Sequence, residues 1–179
     1  MARATALLAL ALWLGAASLA SAQDLPISAF HGQWAGSGIA QNKDSLYFGA
    51  TVRDLDVAIR PTSDGFNVTW TTMLHTGGDP ANPDVRRRSA ALDFVPSQRP
   101  NLFKARANGD PLAGGDYAWA RLARNTLTIY VLTISEAGVY EMQSYARTLT
   151  GAGMDLEFTR VRDGEPVRRV RAKLIKSAD

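Results

Sequence analysis

The feature that most limits what this chain can fold into is an alternation of period two, broken repeatedly by turn residues. Leu55, Val57 and Ile59 share one face of a segment whose other face carries Asp54 and Asp56. Phe66, Val68, Trp70, Thr72 and Leu74 then alternate with Asn67, Thr69 and Thr71. Such a pattern fits strands with one apolar face, not helices. Asp64-Gly65 between these two segments is a hairpin signal.

The pattern continues down the chain. His75 to Asp84 reads as a loop rich in Gly, Pro, Asn and Asp. Arg86 to Val95 is a strand with Ala90, Leu92 and Phe94 inward, and Arg86-Arg87-Arg88 reads as a solvated loop end. Leu102 to Ala107 is a short strand, followed by a polar turn from Asn108 to Asp116. Four longer strands follow: Tyr117 to Ala123, Leu127 to Ile134, Val139 to Leu149 and Met154 to Arg160. Val167 to Ile175 closes the chain after Asp163-Gly164. The expected fold is therefore all-β, an antiparallel up-and-down barrel of about eight to ten strands. A two-sheet sandwich is the rival arrangement. An outer-membrane barrel fits less well, because Asp54, Asp56, Asp155, Glu157, Arg169 and Arg171 would interrupt its apolar belt.

The opening strand has its own signature. Gly32, Trp34, Gly36 and Gly38 all project from one face. Glycines beside a tryptophan let backbone approach closely and leave room for the indole, as at a barrel corner. Gly-x-Trp near a mature N-terminus resembles the first strand of lipocalins and related small barrels. The longer Gly32-x-Trp34-x-Gly36-x-Gly38 is similar to the nitrobindin-type barrel. The resemblance implies a lipocalin-like barrel with Gly32 and Trp34 as its anchor, and a late cation over the indole, for which Arg160 and Arg169 are the candidates. Nitrobindin-type barrels hold heme through a histidine late in the chain. Here the two histidines, His31 and His75, both fall in the first half, so heme is not carried over and no cofactor is expected.

Compartment and domain limits come from the N-terminus. Arg3, the apolar run Leu7 to Leu14 and Ala20-Ser21-Ala22 have the form of a secretory signal with cleavage after Ala22. The run is too short to span a bilayer, and no later run is longer. The expected division is 1–22 signal peptide, 23–29 lead-in and 30–176 a single barrel domain, periplasmic or secreted. The chain has no cysteine, which excludes disulfides and thiolate metal sites. Loss of the signal takes one of the 20 basic residues and none of the 17 acidic ones, leaving the product nearly balanced in charge. That balance argues against a nucleic-acid partner. The histidines read as structural, and Asp79 and Asp84 lack a calcium-loop pattern, so no metal site is expected.

Chemistry concentrates on two strands of the second half. Tyr117, Trp119 and Arg121 share one face; Glu141, Gln143, Tyr145 and Arg147 share another. Arginine grips a carboxylate through paired hydrogen bonds, and tyrosine adds a donor. With Trp70 and Phe158 as apolar contacts, these residues form a candidate site for a small acidic, hydrophobic ligand. For the second strand two orientations stay open: this face inward, or Met142, Ser144 and Ala146 inward. The basic last strand, Arg168 to Lys176, is expected to pair with Asp155 and Glu157. No Gly-x-Ser-x-Gly elbow, phosphate loop or His-Glu-x-x-His motif occurs. Three functions remain: a non-catalytic binder, a scaffold barrel of the cell envelope, and a small isomerase or lyase using Glu141 as acid or base.

Overall fold

The structure, a computed structural model, describes residues 24–42, 51–79 and 82–177, without the side chains at 42, 51, 75–79 and 82–84. The signal peptide expected over 1–22 lies outside these residues.

Ten strands are present among the described residues, each antiparallel to its neighbour in sequence. They are β1 (Gly32–Asn42), β2 (Thr51–Pro61), β3 (Phe66–Asp79), β4 (Asn82–Pro96), β5 (Leu102–Ala105), β6 (Tyr117–Ala123), β7 (Thr126–Ile134), β8 (Tyr140–Thr150), β9 (Gly153–Arg162) and β10 (Glu165–Lys176). Pairing of β1 with β10 closes the barrel. The barrel, not the sandwich, is the solution, and closure leaves no edge strand unpaired. No described helix is long and apolar enough to cross a membrane.

The β1–β10 seam explains the glycines. A Cβ on Gly36 would run into the Lys173 carbonyl oxygen, and one on Gly38 would lie 2.6 Å from the Ala172 Cβ. Only glycine lets the two strands bend together that closely. Trp34 is 5% exposed, and its Nε1–H donates to the Phe30 carbonyl at 3.0 Å. Phe30 ends a short 3-10 helix, Ile27–Phe30, and is fully buried. The lead-in is thus tied down: Leu25 N donates to the Arg124 carbonyl at 2.8 Å, and Asn101 holds the Asp24 carboxylate at 2.7 Å. The cation over the indole is Lys176, at 5.6 Å, and not Arg160 or Arg169. Register decides this, since Lys176 pairs directly with Trp34. Arg169 points outward to Glu157 at 3.2 Å, and Arg160 belongs to the opposite end of the barrel.

The apolar faces turn inward as the alternation requires. Phe66 stacks on Phe94 at 5.2 Å and meets Phe103 edge-on at 5.0 Å. With Ile59, Leu127 and Ile129 they fill the Trp34 end of the barrel. One expected loop is partly strand. The β3–β4 ladder runs on to the Asp79–Asn82 pair, with an irregularity between His75 and Gly77. Continuing the ladder satisfies backbone groups that a loop would leave to solvent. The expected pairing of the last strand holds: Lys173 meets Asp155 at 3.0 Å, and Arg169 and Arg171 flank Glu157.

Candidate functional site

Above the packed floor the barrel interior opens into a cavity of about 360 Å³. Its apolar wall comes from Leu55, Val57, Trp70, Leu156, Phe158 and Val170. Its polar wall is cationic, with Arg53, Arg88, Arg147, Arg160 and Arg168, and among the described residues no carboxylate lines it. A wider depression lies along β1, β2, β8, β9 and β10, lined by outward residues such as Ser37, Asp155, Glu157 and Lys173.

The open question about β8 is resolved by register. Tyr145 pairs with Ile129 and Phe158, and Arg147 with Leu127 and Leu156. Leu127, Ile129 and Leu156 are core residues, so Glu141, Gln143, Tyr145 and Arg147 face inward. The first three form a continuous chain of hydrogen bonds. Tyr145 Oη donates to Gln143 at 2.8 Å, and Gln143 Nε2 donates to Glu141 at 2.9 Å. Glu141 also accepts from Arg160 at 2.5 Å and Arg162 at 3.3 Å. Burial alone would raise the Glu141 pKa, but the bonds from Arg160, Gln143 and Arg162 outweigh it and hold the carboxyl below its usual value. Burial raises the Tyr145 phenol, so it stays a neutral donor.

Arg147 is excluded from that chain. It has no exposed surface, and only its Nη1 has a hydrogen bond, 3.4 Å long, to the Tyr145 carbonyl. Its Nε and Nη2 have no hydrogen-bond partner among the described residues. Burial pushes its pKa down to about 10, opposed by Tyr145, and it remains cationic at neutral pH. The rings of Trp70 and Tyr145 each stand 5.7 Å from the guanidinium. It borders the cavity although it has no surface open to solvent. Aromatic faces offset part of the desolvation cost but supply no counter-charge.

Of the sequence candidates, the structure brings Trp70, Gln143, Tyr145, Arg147 and Phe158 to this cavity. Trp70 and Phe158 both contact the Tyr145 ring, at 5.1 and 4.8 Å. Tyr117, Trp119 and Arg121 are elsewhere, on the outer face of β6. There Trp119 stacks on Tyr130 at 5.0 Å, and Tyr117 and Arg121 are exposed. The inward residues of β6 are Ala118, Ala120 and Leu122. Volume explains the reversal. Phe103 on β5 pairs directly with Ala120, and with Phe66 and Phe94 it fills the space beside β6. A tryptophan would not fit there.

Sequence reasoning missed Arg53, Arg88, Arg160 and Arg168. Arg88 is not part of a loop end but of β4, two residues from Ala90 on the inward face. Arg168 likewise shares the inward face of β10 with Val170. Their even spacing from apolar neighbours was the available signal. Burial lowers the Arg53 pKa, and the nearby charges of Arg168 and Arg88 lower it further, so these three groups converge.

The fold and interior together define a closed antiparallel barrel with an arginine-lined cavity. No protein-family model and no curated protein matches the chain. Among solved structures it is similar to the S-type phycobiliprotein lyase CPES from Guillardia theta. That match has 9% identity and a TM-score of 0.36, covering 86% of this chain and 91% of that one.

Proposed function

We propose that the protein is a non-catalytic barrel, lipocalin-like in design, that binds a small amphipathic anion after export from the cytoplasm. The observation that carries this is Arg147, a fully buried guanidinium with two unpartnered nitrogens beside an internal cavity. A buried charge without a partner is costly, and an acidic ligand removes that cost. The apolar body of the ligand would lie against Trp70, Phe158 and Leu55, with Tyr145 beside its head group.

Glu141 fits catalysis less well. Its carboxylate is shared by two guanidinium groups and held below its usual pKa, so it is not a base poised near neutrality. A pure scaffold would have no need of an internal cavity.

The test is mass spectrometry of small acids that copurify with the native protein, repeated for Arg147→Met. The native protein should carry an acidic amphiphile, and the variant should lose it with a cost of about 2–5 kcal/mol in affinity. A native protein that carries nothing, or a variant that keeps its ligand at full affinity, ends this reading. N-terminal sequencing checks export separately: the product should begin at Gln23, and one found in the cytoplasm starting at Met1 refutes it.

A further inference from the structure

We infer that the ligand is a dianion, with one acidic group on Arg147 and a second at the cavity mouth on Arg53 and Arg88; this rests on the anion-binding reading above. The cavity has two cationic stations of different depth. Arg147 is fully buried, whereas Arg53 is partly exposed and Arg88 exposed. Between them stands an apolar band of Leu55, Trp70, Phe158 and Val170.

Among the described residues no carboxylate lines the cavity, at its mouth or deeper, and the Arg53 Nε is buried without a hydrogen-bond partner. Arg168 adds positive potential there, close enough to disfavour the charged form of Arg53. Glu141, the carboxylate on the inward face of β8, is already taken up by Arg160 and Arg162.

Depth order then constrains the ligand. A monoacid that enters tail first would leave Arg147 without a counter-charge and press an alkyl end against it. A monoacid that enters head first satisfies Arg147, but its tail ends among the mouth guanidinium groups. Neither orientation pairs both stations. A molecule with an acidic group at each end of an apolar body pairs both and keeps its middle on Trp70 and Phe158. Each end forms charge-assisted hydrogen bonds, which arginine makes in pairs with a carboxylate.

The experiment compares dodecanoate with dodecanedioate by calorimetric titration, following the tryptophan fluorescence in parallel, on the native protein, Arg53→Gln and Arg147→Met. The dianion is expected to bind the native protein at least tenfold more tightly. Arg53→Gln should erase that advantage by weakening the dianion far more than it changes dodecanoate, and Arg147→Met should weaken both. Raising the salt should shrink the advantage more than it weakens dodecanoate, because the mouth is the more exposed station. Equal affinities for the two acids, or an advantage that survives Arg53→Gln, overturn the dianion inference and leave the anion-binding reading standing. If neither acid binds the native protein, both fall together. Thermal melts of each variant show whether it is folded, and Arg53, being partly exposed, gives a variant that retains the core.

Discussion

The two ends of this barrel are built on opposite terms. At the Trp34 end the indole N–H has the Phe30 carbonyl, its ring has Lys176, and Phe66 packs on Phe94 and Phe103. At the mouth end the interior holds guanidinium groups with unpartnered nitrogens around an open cavity. The first arrangement stabilises the fold through area removed from water. The second works against it, since charge is drawn out of water without full compensation.

The contrast can be broken from the floor first. Phe94→Ala should cost about 3–5 kcal/mol of stability, as for a buried ring replaced by a cavity. Urea denaturation measures it, and the affinity of the remaining folded protein for an acidic ligand should be unchanged. A loss under 1 kcal/mol would mean that the floor is not the stabilising half.

Inside the cavity the sign reverses. Arg147→Met should leave the unliganded protein as stable as before or about 1 kcal/mol more so, because an apolar chain of similar length replaces an unpaired charge. Its ligand affinity should fall, so that binding and stability move apart. A strongly destabilised variant would make Arg147 a structural residue and erase the distinction between the two ends.

The seam gives a smaller effect. Gly36→Ala should cost about 1–3 kcal/mol, since its Cβ meets backbone that cannot move aside independently. The loss should appear in thermal unfolding and not in ligand selectivity.

The smallest effect is a pH dependence. The bonds from Arg160, Gln143 and Arg162 hold the folded pKa of Glu141 below its ordinary value of 4.5. Its ion pairs therefore add stability that is fully present above that value and lost as pH falls through the lower folded value. Native protein and Glu141→Gln should differ in Tm near neutrality and converge in acid. A difference that grows as pH falls would reverse the sign and refute the assignment.

The sequence made the floor easier to see than the mouth. Alternating Leu55, Val57 and Ile59 with Asp54 and Asp56 leaves little doubt about which side is inward, and Gly32-x-Trp34 marks the anchor. At the mouth the same rule misleads, because Arg53 continues the inward face of Leu55 yet carries the charge of an outward residue. Only the barrel context shows that a cavity tolerates it. For Tyr117 and Trp119 the error ran the other way. Their size suggested the interior, but the packing volume beside β6 was already occupied by rings on other strands, which no local pattern reveals. On β8 the choice between Tyr145 and Ala146 depended on pairing with Ile129 and Phe158.

Closure by the first and last strands also sets the timetable of folding. Trp34 pairs with Lys176, so the seam joins the two extremes of the folded unit. Until β10 is made, β1 has only one of its two neighbours, and the indole lacks its lysine. Contacts between such distant segments are slow to form. The barrel therefore stays open until β10 pairs, and that strand of 12 residues acts as the latch that converts a sheet into a vessel.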